Sequence, residues 1–87
     1  KLTSLIANEC TLFKVFPNPA YNYIVVEFND RATYEFSMYD MTGRMVLNDC
    51  FENRLYSEIN ISGVRPGIYV IHVKSDQQTE TKRIIIN

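Results

Sequence analysis

Apolar residues recur at every second position through most of this chain. Ile24, Val26 and Phe28 alternate with Val25 and Glu27, and Tyr34, Phe36 and Met38 alternate with Thr33, Glu35 and Ser37. Ile59 and Ile61 alternate with Glu58, Asn60 and Ser62, and Tyr69, Ile71 and Val73 alternate with Val70 and His72. A period of 2 places one set of side chains on each face of a strand, so it is the signature of half-buried β-structure. β-Branched and aromatic residues fill these runs, as a pleated surface favours. Helix-period stripes are absent.

The breaks between runs carry turn chemistry. Asp40-Met41-Thr42-Gly43 fits a type I turn closed by a left-handed glycine, the geometry of a hairpin with a bulge. Pro66-Gly67 fits the central pair of a type II turn, because Pro presets φ and Gly accepts a positive φ. Pro17-Asn18-Pro19 cannot lie within a central strand, so it separates the first strand from the second. Asn29-Asp30 and Ser75–Gln78 read as polar loops. The pattern predicts about seven short strands, over 12–16, 22–28, 33–39, 44–51, 56–61, 68–74 and 79–86. Strands recurring every 8–12 residues with turns between them predict an all-β sandwich or barrel. Seven mostly antiparallel strands in one small domain best suit an immunoglobulin-like sandwich. Residues 1–11 are expected to be a linker or extension from an upstream part, and 12–87 the folded domain.

Composition narrows the classes. At 87 residues, 46% hydrophobic and 13% aromatic, the chain has enough apolar material to fold as one domain. Nine Lys or Arg against ten Asp or Glu leave a net charge of −1, so no bulk basic field gathers phosphates and no nucleic-acid partner is expected. The longest apolar run, Ile84-Ile85-Ile86, is far short of the roughly 20 residues that cross a bilayer as a helix. The chain begins at Lys1 without an apolar leader, and is expected to be part of something longer whose signal peptide lies upstream.

No catalytic constellation emerges. His72 is the only histidine and sits mid-strand, with no evident base-and-nucleophile partners. The carboxylates are scattered along strand faces, and no Gly-rich loop exists to cradle a phosphate. Two thiols and one imidazole fall short of a four-ligand structural zinc site, so no metal and no other cofactor is expected. Cys10 and Cys50 are a candidate disulfide in an oxidising compartment, and two free thiols is the other reading. Tyr21, Tyr23, Tyr39 and Tyr56 are candidates for a sugar-binding face, whereas Tyr34 and Tyr69 fall on inward positions. At the end of the chain, Lys82-Arg83-Ile84-Ile85-Ile86-Asn87 breaks the alternation, so at least one isoleucine faces outward unless both faces are covered. Such a strand could be presented edge-on to a partner or to a second copy of the chain.

Several of these pieces together resemble one family. Phe16-Pro17-Asn18-Pro19-Ala20 resembles the opening motif of the C-terminal sorting domains, type A, of the type IX (Por) secretion system of Bacteroidetes. Met38-Tyr39-Asp40-Met41-Thr42-Gly43-Arg44-Met45-Val46 resembles that family's D-x-x-G-[RK]-x-V hairpin. Ile59–Ser62 with Val64, followed by Pro66-Gly67-Ile68-Tyr69-Val70-Ile71, is similar to its L-P-x-G-x-Y segment, without the spacer between Pro and Gly. Lys82-Arg83-Ile84-Ile85-Ile86 resembles its basic-then-apolar terminus, although Asn87 stands where other members often end in Lys or Arg. The resemblance covers residues 12–87.

The resemblance implies an immunoglobulin-like domain that is a substrate of export rather than an enzyme. It implies passage through the periplasm, recognition by the outer-membrane type IX machinery, and delivery of an upstream cargo to the cell surface. A sortase-like peptidase usually removes such a domain. Gly67, Tyr69, Lys82, Arg83, Ile84, Ile85 and Ile86 are the residues it marks for recognition, and Pro17, Asn18, Pro19, Asp40, Gly43 and Pro66 are the turn and motif residues. The alternatives are a structural or adhesion module of the fibronectin III type and a small carbohydrate-binding module. No small-molecule substrate is implied.

Overall fold

A computed structural model describes residues 12–76 and 78–87. Five strands form one antiparallel sheet: β1 (Phe13–Phe16), β2 (Tyr23–Tyr39), β3 (Met45–Asn60), β4 (Gly67–Lys74) and β5 (Thr79–Ile86). There is no helix among the described residues.

Five strands replace the expected seven because two pairs of runs are each continuous. The runs 22–28 and 33–39 correspond to β2, and 44–51 and 56–61 correspond to β3. The predicted loop at Asn29-Asp30 is a bend within β2 instead. Glu27 pairs with Tyr56 and Ala32 with Arg54, so β2 takes five steps where β3 takes two. The next step reverses the imbalance: Ala32–Tyr34 faces Arg54–Phe51, and Asn53 supplies the extra residue at φ 54°. Asparagine tolerates this left-handed conformation better than most residues, and such bulges sharpen strand twist. A straight 17-residue strand would run about 55 Å, longer than the 43 Å greatest dimension of the molecule. The strand therefore has to curl.

Its phase never slips across that bend. Ile24, Val26, Phe28, Tyr34, Phe36 and Met38 are all buried, so the same face of β2 stays inside on both halves. The first half carries β1, with Phe13 opposite Phe28 and Phe16 opposite Val25. The second half carries β4, with Glu35 opposite Lys74 and Tyr39 opposite Val70. β3 runs along both halves, and β5 lies on β4. The curled sheet thus stacks β1, early β2 and late β3 over early β3, late β2, β4 and β5, around a single apolar core. This arrangement is compatible with an immunoglobulin-like sandwich. Burying each large core side chain contributes about 1.5–3 kcal/mol, the main force that closes the two layers.

The two predicted turns fared differently. At Asp40–Gly43, the Gly43 N–H donates to the Asp40 carbonyl at 3.0 Å, and Gly43 adopts φ 93°, as the hairpin requires. The Pro66-Gly67 turn is not formed: Gly67 opens β4 at φ 158°, away from the roughly +80° of a type II turn. The tight turn lies earlier, where the Val64 N–H donates to the Ile61 carbonyl at 2.9 Å. The Arg65 carbonyl, which a type II turn would have used, accepts from the Tyr69 hydroxyl instead.

Candidate functional site

β5 is laid down by its register on β4. Gly67 faces Ile86, Ile68 faces Ile85, Tyr69 faces Ile84, and Val70 faces Arg83. Backbone groups of alternate residues point to opposite edges in an antiparallel ladder, so the N–H and C=O of Ile85 point away from β4. The Pro17–Ala20 segment occupies them. The Ile85 N–H donates to Asn18 Oδ1 at 3.0 Å, and the Ala20 N–H donates to the Ile85 carbonyl at 2.8 Å. The Asn87 N–H then donates to the Ala20 carbonyl at 2.8 Å, and Ala20 bridges Ile86 in parallel. Proline has no N–H to offer an edge, so the segment docks through the side chain between the prolines and the backbone after them. The edge expected to await a partner is therefore already capped at Ile85. Below it, the Leu12 N–H donates to Glu80 Oε1 at 2.7 Å.

The triple isoleucine obeys the alternation after all. Ile84 and Ile86 are 1% exposed and belong to the core, while Ile85 is 41% exposed beside Ile68 on the outer face. The two basic residues split in the same way. Lys82 is half-buried with its Nζ 5.5 Å from the centre of the Phe13 ring, a cation–π contact, whereas Arg83 is exposed on the outer face. They do not form one basic patch.

Gly67 and Tyr69 are joined by packing. The Tyr69 ring is buried, its hydroxyl donates to the Arg65 carbonyl at 2.6 Å, and a Cβ on Gly67 would stand 3.6 Å from the ring. A tyrosine at the start of a strand, bonded to backbone just upstream, fixes the corner between strands in sandwich folds. Tyr34 makes the equivalent bond to the Asp30 carbonyl at the bend of β2.

The hairpin comes to the same end of the molecule. Asp40 Oδ1 accepts from Thr42 N, Thr42 Oγ1 and Arg44 N, and Asp40 Oδ2 pairs with Arg44 Nε at 3.3 Å. The hydroxyl of Thr42, then the Arg44 amide, hold the Asp40 carboxyl below its ordinary range. Arg44 and Met45 share an open cleft of about 430 Å³ with Arg65 and Tyr69. Four pieces far apart in the chain thus meet at one end: the proline segment, the hairpin, the Gly-x-Tyr strand and the terminus.

Other candidates stay apart. Cys50 is exposed on β3, and Cys10 lies outside the described residues, so the candidate disulfide remains an expectation. His72 lies on β4 between Ser37 and Thr81. Tyr21, Tyr23 and Tyr56 are exposed, Tyr23 and Tyr56 pairing at Asn60 and Glu27, four positions apart along β2, whereas Tyr39 is on the other half of that strand, so the four candidates do not all lie together. No group of three His, Cys, Asp or Glu side chains is placed to hold a metal among the described residues. Sequence reasoning missed the pairing of Asn18 and Ala20 with Ile85; its one local sign is a hydrogen-bonding side chain set between two residues that cannot donate.

This clamp has a measurable consequence. Asn18→Ala removes the acceptor of one edge amide, a contribution of about 1 kcal/mol. Hydrogen exchange at Ile85 is expected to speed up about fivefold, with Ile84 and Ile86 little changed. Unaltered exchange at Ile85 would mean that Asn18 does not hold it.

Residues 14–87 match a protein family described as "Secretion system C-terminal sorting domain". Comparison with curated proteins gives no match.

Proposed function

Because this chain belongs to the family of type IX secretion system C-terminal sorting domains, we propose that the end of the sandwich where its four motif pieces meet is the surface read by the secretion machinery. A domain of this family is a sorting tag rather than a member of a catalytic family. It directs export through the outer membrane to the cell surface or the medium, and it works through contacts with the type IX machinery.

The observation that supports this reading is the convergence itself. Residues 16–20, 40–44, 66–69 and 82–87 have no shared place in the sequence, yet they share one end of the fold. Within it the motif residues divide by role. Pro17, Pro19, Asp40, Gly43, Pro66, Gly67 and Tyr69 shape the surface, and Ile84 and Ile86 anchor it in the core. Ile85 and Arg83 face outward, where a receptor reaches them. On this reading the machinery meets a folded surface, with Asn18 and Ala20 holding the terminus in place.

The rest of the route follows as part of the proposal. The domain spans 12–87, and 1–11 connects it to a cargo that has reached the periplasm. A sortase-like peptidase cuts near that connection once the cargo is outside and attaches the cargo to the surface. A Cys10–Cys50 disulfide would form in that oxidising space. Pairing of two copies falls to the outer edge of β3 rather than to β5, since the Ile85 edge is already used.

The test is a fusion of residues 1–87 to the C-terminus of a fluorescent protein that carries a periplasmic signal peptide. It is expressed in a Bacteroidetes strain with a working type IX system and in one without. Fluorescence on the surface or in the medium of the working strain alone is the expected result. Retention in both strains would instead favour a structural module of the fibronectin III type.

A further inference from the structure

The outer face beside the clamp carries apolar side chains that the fold leaves uncovered. Ile85 and Ile68 are direct cross-strand partners, 41% and 44% exposed. Val70 follows Ile68 on the same face, Tyr39 is its partner, and Met45, 47% exposed, is the partner of Tyr39. The ladder therefore places these five side chains side by side across four strands. A contiguous apolar patch of this kind marks an interaction surface, unlike the same residues scattered singly.

Its rim is cationic. Arg83 stands opposite Val70, and Arg44 and Arg65 flank the cleft beside Met45. Arg44 is paired with Asp40, while Arg65 and Arg83 have no ion pair among the described residues. The first carboxylate met further down this face is Glu35, set opposite Lys74. The next row down, Ser37, His72 and Thr81, carries no carboxylate. Apolar groups with two unpaired arginines at their margin complement a surface that is apolar within and anionic at its boundary.

We propose that this face docks on the surface of a bilayer containing anionic phospholipids. Isoleucine, valine and methionine side chains enter the interfacial region, Tyr39 takes the boundary position that suits its polar tip, and the arginines contact headgroup phosphates. The broad outer face of a sheet suits a plane. Strand addition is closed to a partner at Ile85, because Asn18 and Ala20 hold that edge, so docking here proceeds through side chains. This face shares Ile85 and Arg83 with the surface proposed for the secretion machinery, and vesicles free of that machinery test the lipid contact on its own.

The experiment is flotation of the 87-residue chain with vesicles of phosphatidylcholine mixed with phosphatidylglycerol, and with vesicles of phosphatidylcholine alone. Binding is expected on the anionic vesicles and is expected to fall as salt is raised. Each of Arg65→Ala and Arg83→Ala is expected to weaken partitioning about fivefold, and Ile68→Ser with Ile85→Ser to reduce it about tenfold or more. Tyr56→Ser, on the second half of β3, is expected to leave it unchanged. Circular dichroism checks that each variant is folded, and the salt dependence of the unsubstituted chain tests the charge argument without any substitution. Equal binding to neutral vesicles, or indifference to the isoleucine and arginine substitutions, would overturn the proposal. So would absence of binding; if export of a fused cargo then fell in the same variants, the face would belong to a protein partner.

Discussion

Ile84→Ala and Ile86→Ala are each expected to lower stability by about 3 kcal/mol, and Ile85→Ala by less than about 1 kcal/mol. The three residues are adjacent and chemically identical, so composition offers no reason for a difference. The difference comes from facing: Ile84 and Ile86 are 1% exposed in the core, and Ile85 is 41% exposed. Truncating a buried isoleucine loses its transfer free energy and leaves a cavity that the packed layers fill only in part. Truncating Ile85 loses mainly its cross-strand contact with Ile68. A domain of this size holds about 4–13 kcal/mol in total, so either inward substitution removes a large share. Thermal melts followed by circular dichroism should fall by about 12–24 °C for Ile84→Ala and Ile86→Ala, and by a few degrees for Ile85→Ala. Equal shifts for all three would refute the inward and outward assignment.

This contrast bears on how the sorting signal is tested. Deleting Lys82–Asn87 removes most of β5 together with two core side chains. A loss of export in that deletion would combine unfolding with loss of recognition. Ile85→Ala, which leaves the core intact, separates the two: reduced export by a domain that still melts within a few degrees of the unsubstituted one is the signature of a recognised side chain.

Phe28→Ala is expected to cost about 4 kcal/mol and to lower the melting temperature by about 16–32 °C. Phe28 lies just before the bend in β2 and Tyr34 just after it, and their rings stack with centroids 3.9 Å apart and planes 3° from parallel. Phe51 leans on Phe28 at 5.9 Å and on Phe36 at 6.2 Å, so this cluster joins the two halves of the curled strand. Removing Phe28 opens a cavity where the layers turn over one another. Tyr34→Phe tests the polar part of the same corner. It keeps the stack and loses only the hydroxyl that donates to the Asp30 carbonyl, about 1 kcal/mol. Burial, reinforced by the nearby Asp30 carboxylate, pushes the Tyr34 phenol up, as expected of a group held neutral against the core. Urea unfolding of both variants measures the difference; similar losses would mean that the hydroxyl, and not the stack, holds the bend.

Much of the fold was legible because it is local. The period of 2 named the inward set of β2 on both sides of the bend, and Asp40 with Gly43 named the hairpin that joins β2 to β3. Turn chemistry of that kind acts within four residues, through one carboxylate and one left-handed glycine. Asn29 and Asp30 predict a loop because they are polar, and polarity does not distinguish a break in a strand from a bulge on its exposed stretch. The clue was the unchanged parity from Ile24 to Met38, which a continuous strand keeps and an arbitrary loop need not. At Pro66-Gly67 the dipeptide allowed a type II turn, and the Tyr69 hydroxyl took the carbonyl that the turn would have used.

The sequence by itself determined the all-β class, the inward faces of β2 and β4, the main hairpin and the four motif pieces that carry the family resemblance. Each of these depends on neighbours a few residues apart, where the pleat and the dihedral preferences act directly. Only the tertiary structure decided that seven runs are five strands, that Lys82 and Arg83 point to different faces, and that Ile85 rather than its neighbours is displayed. It also decided that the proline segment closes the edge of the last strand, through the bond from Ile85 to Asn18 across 67 positions of sequence. Such pairings are set by how a curled sheet brings its ends together around one core, and a period read along the chain contains no term for that closure.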